Sequence, residues 1–171
     1  MDESDMVEVE MCSMEKGEYP AVLQSGGLGP CIAIGFYDPK TRSGYMMHEP
    51  GMRHTDLSGR IQQIKRDYGG LSKLEVFVTG NSLSSNDDDT QREYVRSDRL
   101  FVEKIIKKYF RKSQVQIQWL PDNHIGELYL DTTTGQFSLE MVSDLEMKIA
   151  NQAREDEALY QMGKMRVKGL R

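Results

Sequence analysis

The sequence predicts an α/β fold, a mixed sheet or sandwich with helices packed outside it. Short apolar or alternating runs bounded by Gly, Pro, Asp and Asn recur along the chain, and two longer stretches carry apolar residues at helical spacing. The resulting order is strands, helix, strand, helix, strands.

Residues 6–14 alternate Val7, Glu8, Val9, Glu10 and Met11, the period of a half-exposed strand, and 21–24 reads as a second short strand. Residues 26–30, Gly-Gly-Leu-Gly-Pro, read as loop, and 31–37 as an apolar strand. Asp38, Pro39, Lys40 and Thr41 then supply turn chemistry, and the chain returns as an antiparallel strand. Thr55 or Asp56 can cap a helix with Leu57, Ile61, Ile64 and Tyr68 on one face, which Gly69 and Gly70 end. Residues 74–79 read as a buried strand, and 81–90 as an exposed loop. The adjacent carboxylates Asp87, Asp88 and Asp89 cannot all converge on one ion and lack the spacing of a calcium loop, so they read as solvated.

From 92 to 111 the spacing of Val95, Phe101 or Val102, Ile105, Tyr109 and Phe110 marks the strongest amphipathic helix. Strands follow at 115–120 and 127–131, and Thr132, Thr133, Thr134 and Gly135 turn the chain into 136–142. Asp144 can cap a last helix that becomes more charged toward Arg171. One domain over 1–142 is expected, with 143–171 as a charged helix or tail that frays or binds a partner.

Composition narrows the function classes. A net charge of -5 gives no electrostatic footprint for nucleic acid, and the run Lys104, Ile105, Ile106, Lys107, Lys108 reads as the solvated side of a helix. No apolar run is long enough for membrane insertion, and the opening Met1-Asp2-Glu3-Ser4-Asp5 is acidic where an export signal would be basic and then apolar. The cytoplasm is therefore the expected compartment, and Cys12 and Cys31 are expected as free thiols.

Chemistry concentrates around the predicted hairpin. With the turn centred between Pro39 and Lys40, Cys31 would face His48 directly, close enough for thiol and imidazole to meet. An imidazole beside a thiol is a means of making a thiolate nucleophile, and a hydroxyl can fix the ring through its other nitrogen. Ser25 is the candidate for that role. The glycines before Cys31 allow amides to turn toward one point, as an oxyanion hole requires, with the Gly29 and Cys31 amides the expected donors because Pro30 has none. His54 and Glu49 raise a zinc reading, but no CxxC or HExxH spacing completes a ligand set. Cys12 reads as a packed strand residue and His124 as an exposed loop residue.

Ser25-Gly-Gly-Leu-Gly-Pro-Cys31, followed by Tyr37-Asp38-Pro39-Lys40 and His48, resembles the signature of the CheD family of chemoreceptor glutamine deamidases. The resemblance runs over about residues 6–142. Ser25 stands where the family usually has threonine and Pro30 where it usually has serine, and two groove segments that are glycine-rich in the family read Thr79-Gly80-Asn81-Ser82 and Asp122-Asn123-His124-Ile125-Gly126 here. The resemblance implies a layered α/β/β/α sandwich, related to the catalytic domain of cytotoxic necrotizing factor toxins. It implies hydrolysis of a glutamine side-chain amide on a chemoreceptor cytoplasmic domain or another signalling protein, with Cys31 as nucleophile, His48 as base and Ser25 orienting the ring. No cofactor or metal is implied, and a chemotaxis phosphatase-type regulator is a possible partner. Alternatives on the same scaffold are a non-catalytic binding module and another amide or thioester hydrolase. A working thiolate implies that Cys31 is alkylated faster than Cys12.

Overall fold

The computed structural model describes residues 5–168, with side chains described through 162. Most of the acidic opening segment, and residues 169–171 of the predicted tail, lie outside the described residues. The chain divides into two units, Met1–Met141 and Val142–Arg171.

The first unit is built on two sheets. Strands β2 (Ser13–Glu18), β5 (Ser43–Glu49), β4 (Ile32–Asp38), β6 (Glu75–Gly80) and β7 (Val115–Trp119) form a five-stranded sheet in that spatial order. Strands β1 (Met6–Glu8), β3 (Val22–Leu28), β8 (His124–Asp131) and β9 (Gln136–Ser143) form a four-stranded one. Helices α1 (Leu57–Tyr68) and α2 (Asp89–Tyr109) connect β5 to β6 and β6 to β7. β6 and β7 are parallel, and a parallel pair needs such a crossover.

Both helices pack on one face of the five-stranded sheet. Leu57, Ile61, Ile64, Val102 and Ile106 meet Ile32, Ile34, Phe36, Tyr45, Met47, Val76 and Val78 there. The other face meets the four-stranded sheet, where Ala33, Tyr37, Met46 and Phe77 pack with Leu23, Leu28, Leu128 and Leu130. Every residue of β4 and β5 is buried because both faces are covered, which explains the continuous apolar run of β4. The α/β sandwich expected from the sequence is therefore present; in the first unit α1 and α2 both lie on the five-stranded sheet, so its described layers run α/β/β, without the second helical layer of the expected α/β/β/α order.

Several boundaries differ from the sequence reading, each for a local reason. The single strand expected over 6–14 is two, β1 and β2, because Cys12 takes a left-handed backbone (φ 69°) and turns the chain; Cys12 is exposed in that turn rather than packed on a strand. The Gly26–Gly29 segment is not all loop: β3 continues to Leu28 through a bulge, with Ser25 opposite Leu128, Leu28 opposite Gly126, and Gly27 at φ 70°. α2 begins at Asp89 rather than Arg92, since Asp88 caps it reciprocally with Gln91 and Asp87 accepts from the Ser84 amide, so the acidic triplet is helix-starting structure. His124 opens β8 instead of lying in a loop. In the second unit, α3 (Asp144–Lys168) is capped by Ser143, which exchanges hydrogen bonds with Glu146, and not by Asp144.

Candidate functional site

The hairpin turn sets the site. Asp38 accepts hydrogen bonds from the Lys40 amide at 3.1 Å, the Thr41 amide at 3.3 Å and the Thr41 hydroxyl at 2.8 Å, and Arg42 closes the loop with a left-handed backbone (φ 53°). The turn is thus a four-residue loop with Asp38 opposite Ser43, and His48 faces Ala33. The expected direct pairing of Cys31 with His48 is corrected by two residues. Because side chains alternate along a strand, a shift of two keeps Cys31 on the same face as His48, as its diagonal neighbour.

That face looks toward the four-stranded sheet. Ser25, on β3, is fully buried, and its Oγ lies 3.0 Å from His48 Nδ1. The hydrogen bond joins the two sheets. It is compatible with an Nδ1–H donating to the hydroxyl, which leaves Nε2 as the basic nitrogen. Nε2 is buried and has no hydrogen-bond partner. Burial pushes the His48 pKa below its ordinary value, while a weak hydrogen bond from the ring to the Val9 backbone, short of full geometry, and the Glu49 charge oppose this. The ring is accordingly held toward its neutral form.

Cys31 stands one residue before β4 and is 9% exposed. Its thiol touches the Met11 thioether, with sulfur to sulfur at 4.0 Å, and it makes no hydrogen bond to His48. Burial pushes the thiol pKa up, and the Cys12 and Glu49 charges add to the rise. The expected activation of the thiol by the imidazole is not formed in this conformation. The turn that follows β1 covers the thiol, held in place where the Cys12 amide donates to the His48 carbonyl at 2.7 Å.

The glycine loop contributes less than expected to an oxyanion hole. The Gly29 amide donates to the Gly27 carbonyl at 2.9 Å and is engaged inside its own loop. The Gly29 and Cys31 carbonyls accept from the Ser82 and Asn81 amides at 2.8 and 2.7 Å. This clasp depends on Gly80, whose φ of 98° and approach to the Cys31 carbonyl leave no space for a Cβ. Asn81 is also left-handed (φ 56°), and Arg99 fixes it through its side-chain and main-chain oxygens at 2.9 and 2.6 Å.

Sequence reasoning missed Met11 and Arg99, and it set Asn81 in a groove segment without its part in the clasp. The consecutive Gly80 and Asn81, both tolerant of left-handed backbone, were the available signal for the clasp; nothing in the sequence marks Met11.

Glu49, next to His48 but pointing to the helix side, is tied to Arg60 at 2.5 Å and to the Thr55 hydroxyl at 3.0 Å. It borders a cleft of about 830 Å³ between the β5–α1 loop and α2, with Cys12, Arg53, His54, Tyr94 and Asp98 in its wall. The Arg53 guanidinium lies 3.6 Å from the Tyr94 ring centroid. Among the described residues no group of three His, Cys, Asp or Glu side chains is arranged to hold a metal, and no helix is long and apolar enough to cross a membrane.

The fold and the site together define a two-sheet α/β sandwich with a cysteine, a histidine and a serine gathered at one end of the interlayer core. Comparison with known proteins adds little to that class. Neither a family model nor a curated protein matches the chain. Among solved structures it is similar to the Bacillus licheniformis hypothetical protein YfiH, with a TM-score of 0.43 and 11% identity, over 68% of this chain and 61% of that one.

Proposed function

We propose that the protein is a cysteine-dependent protein-glutamine deamidase of CheD type. The observation that carries this reading is the Ser25–His48 hydrogen bond, which orients the ring and leaves a buried, unpaired Nε2 on the face shared with Cys31. In the reaction, Nε2 takes the thiol proton as Cys31 Sγ attacks the carboxamide carbon. The tetrahedral intermediate collapses to a thioester, and His48 returns the proton to the departing ammonia. Water, deprotonated by His48, then adds to the thioester; the thiol leaves and glutamate remains. The Cys31 amide is the proposed oxyanion donor. The substrate is a signalling protein, with a chemoreceptor cytoplasmic domain as the first candidate.

In this scheme the covered thiol is a resting state. Displacing the Met11–Cys12 turn would free Cys31 and let its side chain rotate toward Nε2. Intact-mass analysis of candidate receptor domains tests the reading. Wild type should replace a side-chain amide by a carboxylate with release of ammonia, and Cys31→Ala should not. Turnover by Cys31→Ala, or none by wild type on any receptor domain, would reject it.

A second reading, a catalytically silent binding module, is favoured by the buried thiol with its raised pKa. It requires partner binding that is the same in wild type and Cys31→Ala, without ammonia release.

A further inference from the structure

The two edges of the five-stranded sheet are unequal. β2, at one edge, carries Glu15, Lys16 and Glu18, with Lys16 paired to Glu18 at 2.6 Å. Charges of this kind discourage a foreign strand from pairing with an open edge. β7, at the other edge, reads Val-Gln-Ile-Gln-Trp and has no charge, no proline and no glycine. Five residues of strand backbone are left unguarded there.

A groove of about 660 Å³ runs beside this edge. Ile106, Phe110, Val115, Ile117 and Trp119 supply its apolar wall, and Lys107 and Lys112 stand at its rim. The rim belongs to a wider basic patch: from Lys104 to Gln114 the chain has five cations, Lys104, Lys107, Lys108, Arg111 and Lys112, and no carboxylate. All five are exposed. In a chain of net charge -5 this is a local reversal of sign. Glu103 also lines the groove, and its carboxylate is already committed to Lys107 and to the Trp119 indole N–H, both at 3.2 Å.

From the bare edge, the apolar groove and the basic rim, we infer that β7 is a docking site for an acidic, extended segment of a partner protein, which adds to the sheet as a further strand. Main-chain hydrogen bonds to β7 would supply affinity, alternate apolar side chains would enter the groove, and carboxylates would meet Lys107 and Lys112. The site does not depend on the deamidase reading, because binding is measured without turnover.

Trp119 is the only tryptophan, so its emission reports directly on the groove. A fluorescent short peptide of alternating glutamate and valine should bind saturably and shift Trp119 emission. Reversing both rim charges, with Lys107→Glu and Lys112→Glu, should weaken binding by roughly tenfold or more while circular dichroism stays unchanged. The same peptide with N-methylated backbone amides keeps its charge but loses its strand donors, and should not bind. Equal binding of the N-methylated peptide, or binding without any change at Trp119, would overturn the inference. So would Lys107- and Lys112-dependent capture of single-stranded RNA or phosphatidylserine vesicles in place of the peptide, since the patch would then serve nucleic acid or lipid.

Discussion

In the central strands β4 and β5 both faces of the five-stranded sheet are buried, but the two faces are lined differently. On the helix side, Ile32, Ile34, Phe36 and Met47 pack in an apolar cluster with α1, α2 and adjacent strands, and the polar groups there, such as Glu49 with Arg60, are paired. On the side facing the second sheet, the apolar core of Ala33, Met46, Leu128 and Leu130 ends in Cys31, His48 and Ser25. Polar groups in a dry layer are costly unless hydrogen-bonded, so the unpaired Nε2 beside the Ser25–His48 bond is a cost that the proposed chemistry would account for. Substitutions on one face should therefore act on folding, and at the end of the other on reactivity.

The largest contrast should come from Phe36→Ala against Cys31→Ala. Removing the fully buried Phe36 ring, which packs 5.9 Å from Phe110 between ring centroids, should cost about 3–5 kcal/mol in urea unfolding. Cys31→Ala should leave the unfolding midpoint close to wild type and abolish ammonia release. A large stability loss in Cys31→Ala would break the division of labour between the faces.

Gly80→Ala should join the two effects. The new methyl would meet the Cys31 carbonyl in a left-handed backbone, so a loss of about 1–3 kcal/mol is expected together with displacement of Cys31. Thermal melts and turnover should fall together in this variant.

Ser25→Ala should be milder in rate, lowering kcat by roughly ten- to hundredfold through loss of ring orientation. Its discriminating readout is the His48 imidazole nitrogen spectrum: wild type should hold one tautomer, with the proton on Nδ1, and the variant a mixture.

The smallest effect concerns the covering turn. Cys12 is exposed and Cys31 is buried, so alkylation of the resting protein should reach Cys12 first, the reverse of the order a ready thiolate would give. Because burial raises the Cys31 pKa, its labelling should climb as pH rises past the ordinary thiol range, where the thiolate finally forms. Met11→Ala should speed Cys31 labelling several-fold while Cys12 is labelled as in wild type. Mass spectrometry of the two thiol peptides over time measures all three.

Much of the frame was legible because its signals are local. Leu57, Ile61 and Ile64 share a helix face, Asp56 caps that helix and Gly69 ends it in a left-handed turn, each readable from residue type and spacing. The hairpin was legible too, but not its register. Arg42 closes the loop in a conformation that arginine seldom adopts, so the sequence suggested a shorter turn. Cys12 hid the break between β1 and β2 for the same reason. The Ser25–His48 contact could be anticipated from residue chemistry, whereas the cover over Cys31 could not, because it depends on where β1 lands beside β3.

Ser25 and His48 belong to different sheets, and a hydrogen bond tolerates only a few tenths of an ångström of misplacement. The bond therefore acts as a gauge of interlayer shear: a slide of one sheet over the other, small enough to leave both apolar cores filled, would uncouple the serine from the ring. An expanded state with intact secondary structure and loosened packing should lose the imidazole's fixed tautomer before it loses its strands, so the histidine would register slackening of the sandwich ahead of any optical signal of unfolding.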